Sequence, residues 1–195
     1  RLFLERICIN DIYRVFRSNG PASDLETAID ETVEAYGEMS KNKVGALMVF
    51  ERDNDLTNVI SSGTSFSSSV TSELLKNLFF PKAPLHDGAV VVRGGKIVAA
   101  GCMLPMSERM NLSKELGMRH RAGLGITERS DAVVAIVSEE TGAISVMVNG
   151  NLRRHLSQET LGRVLRNELL PREDAGADKG HKRAWRFRQG GGGEP

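Results

Sequence analysis

Cysteine is scarce in this chain: Cys8 and Cys102 are the only two among 195 residues. Two thiols so far apart exclude a disulfide scaffold or a cysteine-rich metal cage, and they point to a reducing compartment in which both are expected as buried thiols. An excess of charge of either sign is also missing. The 26 Lys+Arg against 25 Asp+Glu leave a formal net charge of +1, so the strongly basic domain typical of nucleic-acid binders is absent and nucleic acid is not an expected partner. Long apolar runs are lacking too. The longest, Ile97 to Leu104, is strand-sized and contains Gly101, whereas a membrane helix needs roughly 20 residues. No secretion-signal pattern is present and the first residue is Arg1 rather than Met, which reads as a soluble fragment excised from a longer protein.

What is present suits one ordinary domain, with 40% apolar residues. Residues 1–22 mix apolar and basic side chains and read as an N-terminal arm. Ser23 and Glu26 have capping-box spacing, and Leu25, Ala28, Ile29, Val33 and Tyr36 then recur at helical intervals, predicting a helix over about 24–40. The run Val44 to Phe50 reads as a strand buried on both faces, Glu51 to Asn58 as a loop, and Val70, Leu74, Leu75 and Leu78 as a second helix stopped by Pro81 and Pro84. Apolar runs on either side of Gly94-Gly95 predict a hairpin. A helical stretch is expected within 112–129, strands at 131–137 and 143–148, a further hairpin turn at Asn149-Gly150, and a last helix capped by Ser157. Helices flanking a strand-rich middle imply an α/β fold: a single layered domain over 23–170 with a central mixed β-sheet. After Pro171 the composition turns basic and Gly-rich, and 171–195 reads as a poorly ordered tail.

Three short segments carry chemistry at expected strand ends or helix starts, where α/β folds place ligand sites. His86-Asp87-Gly88-Ala89 sets a carboxylate before a buried strand, with a glycine that lets a ligand approach the backbone; a turn in which Asp87 merely caps local amides fits equally well. Arg119-His120-Arg121 offers two guanidinium forks suited to phosphate oxygens, or simply a solvated basic stretch. Ser138-Glu139-Glu140-Thr141-Gly142 provides paired hard-oxygen ligands for Mg²⁺ or Mn²⁺, or a solvated acidic turn.

Taken together, and in this order, Pro84-Leu85-His86-Asp87-Gly88-Ala89, Leu104-Pro105-Met106-Ser107-Glu108, Lys114-Glu115-Leu116-Gly117, Arg119-His120-Arg121 and Ser138-Glu139-Glu140-Thr141-Gly142 resemble the motifs of bacterial diadenylate cyclase domains. Gly45-Ala46-Leu47, Glu51-Arg52 and Ser72-Glu73-Leu74-Leu75 match upstream. The resemblance runs over roughly 25–170 and is nearest to the membrane-anchored class, whose catalytic domain follows transmembrane helices. It implies the diadenylate cyclase fold, a place at the cytoplasmic face of the bacterial membrane in the full-length protein, and condensation of two ATP into cyclic di-AMP by a face-to-face homodimer. It further implies that Asp87 activates the 3′-hydroxyl, that Gly88 and Ala89 lie against the nucleoside, and that Arg119, His120 and Arg121 hold the phosphates. Ser138 would bond a phosphate oxygen, Glu139 would lie close to the nucleotide, and Leu104 would line the adenine site. Glu140 and His86 are the implied ligands of Mg²⁺ or Mn²⁺, with Co²⁺ a further candidate.

The family usually carries Thr where this chain has Met118, replacing a hydroxyl beside the phosphates with a thioether, at best a weak acceptor. That departure motivates an alternative, a module that senses ATP or cyclic di-AMP without turnover. A third reading, a membrane-surface interaction domain using the basic tail, leaves all three segments unexplained. A membrane-anchored regulator and phosphoglucosamine mutase are the partners the resemblance suggests.

Overall fold

The computed structural model describes residues 22–109 and 116–170; most of the expected arm, the expected tail and Cys8 lie outside them. The first helix, α1 (Ala22–Asn42), begins earlier than its capping-box spacing suggests. Ser23 therefore lies inside the first turn, where its carbonyl accepts from the Thr27 hydroxyl at 2.9 Å, instead of capping the helix. Of its expected apolar stripe, Ala28, Ile29 and Tyr36 are buried and Leu25 and Val33 partly so, while Met39 extends it, and the Tyr36 hydroxyl donates to the Ala135 carbonyl at 2.9 Å.

The apolar run after it forms β1 (Ala46–Phe50), buried throughout. The expected loop holds a short helix, α2 (Thr57–Ile60), set by the Asp55 carboxylate, which accepts from the Thr57 amide and hydroxyl at 3.0 and 2.6 Å. Next comes β2 (Thr64–Ser69), a serine-rich strand that composition and periodicity do not announce. The Thr71 hydroxyl caps α3 (Ser72–Leu78) by accepting from the Leu74 amide. The Gly94-Gly95 turn joins β3 (Ala89–Arg93) and β4 (Lys96–Cys102) as expected. α4 (Met118–Arg129) is followed by β5 (Val133–Val137), β6 (Ile144–Val148) and β7 (Asn151–Leu156). The last helix, α5 (Gln158–Leu169), is capped by Ser157, whose hydroxyl accepts from the Thr160 amide at 3.1 Å.

The seven strands form one sheet in the order β2-β4-β3-β1-β5-β6-β7. β1 and β3 are parallel and every other pair is antiparallel, so the sheet is mixed and the α/β expectation holds. Alternation along the strands divides the core in two. Met48, Phe50, Val90, Val92 and Val146 face the layer of α1, α3 and α5, whereas Leu47, Val49, Val91, Val134 and Met147 face Leu124 and Ile126 of α4. Among the described residues, no helix is long and apolar enough to cross a membrane.

Candidate active site

Strand direction assembles the site. Because β1 and β3 run parallel, their N-terminal ends lie at the same edge, and the antiparallel pairings Ala46↔Val137 and Ala89↔Cys102 bring the C-terminal ends of β5 and β4 to that edge as well. Asp87-Gly88, Leu104, Gly45 and the Ser138–Glu140 loop therefore share one end of the sheet, although they are distant in sequence. The N-terminus of α4 joins them. Arg119 Nη1 contacts Glu139 Oε2 at 2.6 Å, and a Cβ on Gly45 would stand 2.8 Å from the same Nη1.

Asp87 is exposed at the turn entering β3. The next residue, Gly88, has φ +117°, a conformation L side chains rarely adopt, and a Cβ there would come within 2.6 Å of the Gly101 carbonyl carbon. This turn thus requires glycine twice over, by backbone angle and by the close passage of β4. Ala89 is buried at the start of β3. His86 Nδ1 lies 2.6 Å from the Ala83 carbonyl, so Nδ1 is the donor of that contact and Nε2 is the ring nitrogen left for a ligand, the arrangement in which metal-binding histidines are held.

On α4, Gly117 occupies the N-cap position and Met118 opens the helix, 78% exposed. Arg119 is mostly buried, and its Nε–H has no acceptor among the described residues; Arg121 is exposed. His120 departs from its neighbours. The resemblance groups it with the arginines expected to hold the phosphates, but the residue is 4% exposed, with Nε2 3.3 Å from Ser145 Oγ. Burial, with a smaller contribution from the Arg154 charge, pushes its pKa down to about 4, so it is neutral at neutral pH and turned into the core.

In the Ser138–Gly142 loop the Ser138 hydroxyl accepts from the Thr141 amide at 3.3 Å, leaving its own hydrogen to donate. The Ser40 hydroxyl at the end of α1 anchors the loop by donating to the Gly142 carbonyl at 2.6 Å. Glu139 and Glu140 are exposed. Leu104 is half-buried against the α4-side core, and the segment after it is tied across α4 by Ser107, whose amide donates to the Arg121 carbonyl at 3.0 Å and whose hydroxyl donates to Glu128 at 2.8 Å. Cys102 is buried and its thiol pKa is pushed up to about 11, which removes it as a nucleophile. A polar cleft of about 470 Å³, lined by Asn54, Arg109, Glu128, Asp131 and Asn149 among others, lies at the opposite end of the sheet and shares no residue with this cluster.

Motifs alone overlook the place of Gly45 beneath the Arg119 guanidinium, and also Ser145 and Arg154 around His120. Gly45 lies in the matching segment Gly45-Ala46-Leu47, but nothing in that segment tells which side chain the glycine makes room for. The other two carry no sequence signal.

Comparison with known proteins agrees with this arrangement. The family model described as DisA bacterial checkpoint controller nucleotide-binding matches residues 33–152. The chain is 45% identical over 154 residues to the cyclic di-AMP synthase CdaA of Bacillus subtilis, an alignment covering 78% of this chain and 56% of that protein. It is 46% identical over 132 residues to a diadenylate cyclase of Listeria monocytogenes, covering 68% of this chain and 48% of that one. The chain thus spans about half the length of these curated relatives. Its fold is similar to the crystal structure of a double mutant of DacA from Staphylococcus aureus, with a TM-score of 0.74 and 44% identity over 76% of this chain and 99% of that one. By family model, sequence identity and fold together, the chain belongs to the diadenylate cyclase family.

Proposed function

We propose that this domain condenses two ATP molecules into cyclic di-AMP, one ATP held by each of two copies that face one another. The observation that carries this reading is the convergence of Asp87, Arg119 at the start of α4 and the Ser138–Glu140 loop on one sheet end. In each half-reaction the 3′-hydroxyl oxygen of one nucleotide bonds to the α-phosphorus of the other. The bond from that phosphorus to the bridging oxygen breaks, pyrophosphate leaves, and the hydroxyl proton passes to the Asp87 carboxylate directly or through solvent. Such phosphoryl transfer depends mainly on in-line positioning and charge neutralisation. The arginines supply the second: the buried Arg119 Nε–H lacks a partner that a phosphate oxygen would provide, and the exposed Arg121 can reach the leaving pyrophosphate. Ser138 donates to a phosphate oxygen, Gly88 and Ala89 lie against the nucleoside, Leu104 borders the adenine, and Glu139 holds Arg119. His120 serves this site from within the core.

Among the described residues no three His, Cys, Asp or Glu side chains gather into a metal cage. The proposed ion would be held by His86 through Nε2, since Nδ1 meets the Ala83 carbonyl, and by Glu140, with substrate phosphates and water to complete its shell. A divalent cation there, Mg²⁺, Mn²⁺ or Co²⁺, would neutralise phosphate charge. Asp87, Arg121, Glu139 and Glu140 are all exposed, which leaves the site open on one side for the second copy. A place at the cytoplasmic membrane face, and the regulators suggested by resemblance, belong to the same proposal for the longer protein.

The competing reading, a sensor without turnover, draws on Met118. The chain incubated with ATP and Mn²⁺ should yield cyclic di-AMP and pyrophosphate in a 1:2 ratio. Asp87→Asn should lower turnover by roughly 10²–10⁴-fold, the usual contribution of a positioned base, while ATP affinity persists. Tight ATP binding with no product under Mn²⁺, Mg²⁺ or Co²⁺ would establish the sensor instead.

A further inference from the structure

β6 is apolar but for one residue. Ser145 stands between Ile144 and Val146, is fully buried, and pairs with Ile136 of β5. It alternates along the strand with Val146 and shares a face with Met147, so its side chain lies on the α4 face of the sheet. Its hydroxyl meets His120 Nε2, 3.3 Å from Ser145 Oγ, in the first turn of α4. A hydroxyl placed in an apolar layer, matched to a ring that is itself buried, ties one point of the helix to the sheet. Leu152 places its strand's inward side chains on this same face, and Arg154, two residues on and half-buried, lies near enough to influence the ring.

The neighbours of that point are the two arginines. Side chains one residue apart leave an α-helix about 100° apart around its axis, so fixing the His120 ring fixes the directions in which Arg119 and Arg121 depart. We propose that Ser145, acting through His120, is a positioning residue for the nucleotide phosphates: it locks the first turn of α4 and with it the direction in which the Arg119 guanidinium is presented to the site. The inference rests on the phosphate-holding role of those arginines.

The test compares ATP and adenosine binding by the full chain carrying Ser145→Ala or Ser145→Thr, alongside ring ¹⁵N spectra of His120. Ser145→Ala removes one oxygen and should leave the fold intact by circular dichroism. It should weaken ATP by about threefold to tenfold, the scale of one neutral hydrogen bond, leave adenosine unchanged, and shift the His120 Nε2 resonance. Ser145→Thr, which keeps the hydroxyl, should restore both. If threonine overpacks the core and the variant does not fold, the resonance shift and the ATP-selective loss in Ser145→Ala decide alone. Unchanged ATP affinity in folded Ser145→Ala, or equal loss for ATP and adenosine, overturns the inference. A wild-type chain that binds ATP no better than adenosine overturns the phosphate role of the arginines and this inference with it; wild-type preference for ATP with an unaffected Ser145→Ala overturns the inference alone.

Discussion

Arg119 shows how a single side chain is prepared by its surroundings. Its guanidinium occupies the space left by the missing side chain of Gly45 and is tethered by Glu139. Arg119→Ala should therefore weaken ATP by on the order of tenfold to a hundredfold, as expected for charge-assisted hydrogen bonds, and adenosine much less. Gly45→Ala should shift the same ratio in the same direction by a smaller factor, because its Cβ intrudes where the guanidinium lies. Isothermal titration with both ligands checks this, and equal losses for the two would contradict it. Met118→Thr should raise ATP affinity or turnover from a few-fold to about tenfold, since one neutral hydrogen bond is regained; no gain in a folded variant would mean that other contacts already do that work. Asp87, the two arginines and Ser138 stand out in the sequence as candidates because their proposed chemistry is local to short motifs. The inward turn of His120 was not, since nothing in Arg-His-Arg tells which side chain meets β6.

Elements were legible in proportion to how fully they are buried. β1, β5 and β6 announce themselves as apolar runs, and α5 by its cap and stripe. β2 does not, because an edge strand of sequence TSFSSS buries little and its pairing with β4 supplies the order that composition lacks. β7 is signalled only by the Asn149-Gly150 turn before it, its alternation being half-exposed. α4 carries a consequence that can be measured. Its His120 has a folded pKa of about 4, set mainly by burial, against an unfolded value near 6.5. In that window the unfolded chain binds the extra proton, so the stability this neutral ring contributes is complete above about pH 6.5 and is lost as pH falls toward 4. The loss should approach the order of 3 kcal/mol at the lower limit. Urea denaturation across this range should show a smaller loss in His120→Gln than in the wild type; identical pH dependence in the two would place the ring in contact with water.

At the scale of the whole molecule, the site exists because of strand direction: one parallel pairing in an otherwise antiparallel sheet gathers four segments at one end. No set of motifs supplies that geometry, which depends on pairings between residues far apart in sequence. Under the proposed mechanism each subunit holds half of a reaction centre, with Asp87 serving the nucleotide held by its own subunit and the arginines holding the phosphates that the partner's nucleotide attacks. Mixing Asp87→Asn subunits with subunits carrying both Arg119→Ala and Arg121→Ala, at saturating ATP, tests this most directly. In the mixed dimer one bond lacks both its base and its phosphate clamp, while the other has both. The mixture should accumulate the linear intermediate pppApA, which neither variant makes alone. Mixed dimers with ATP in both sites that form neither pppApA nor cyclic di-AMP would contradict the own-subunit role of Asp87, and efficient cyclic di-AMP synthesis would show that at least one of these groups is dispensable.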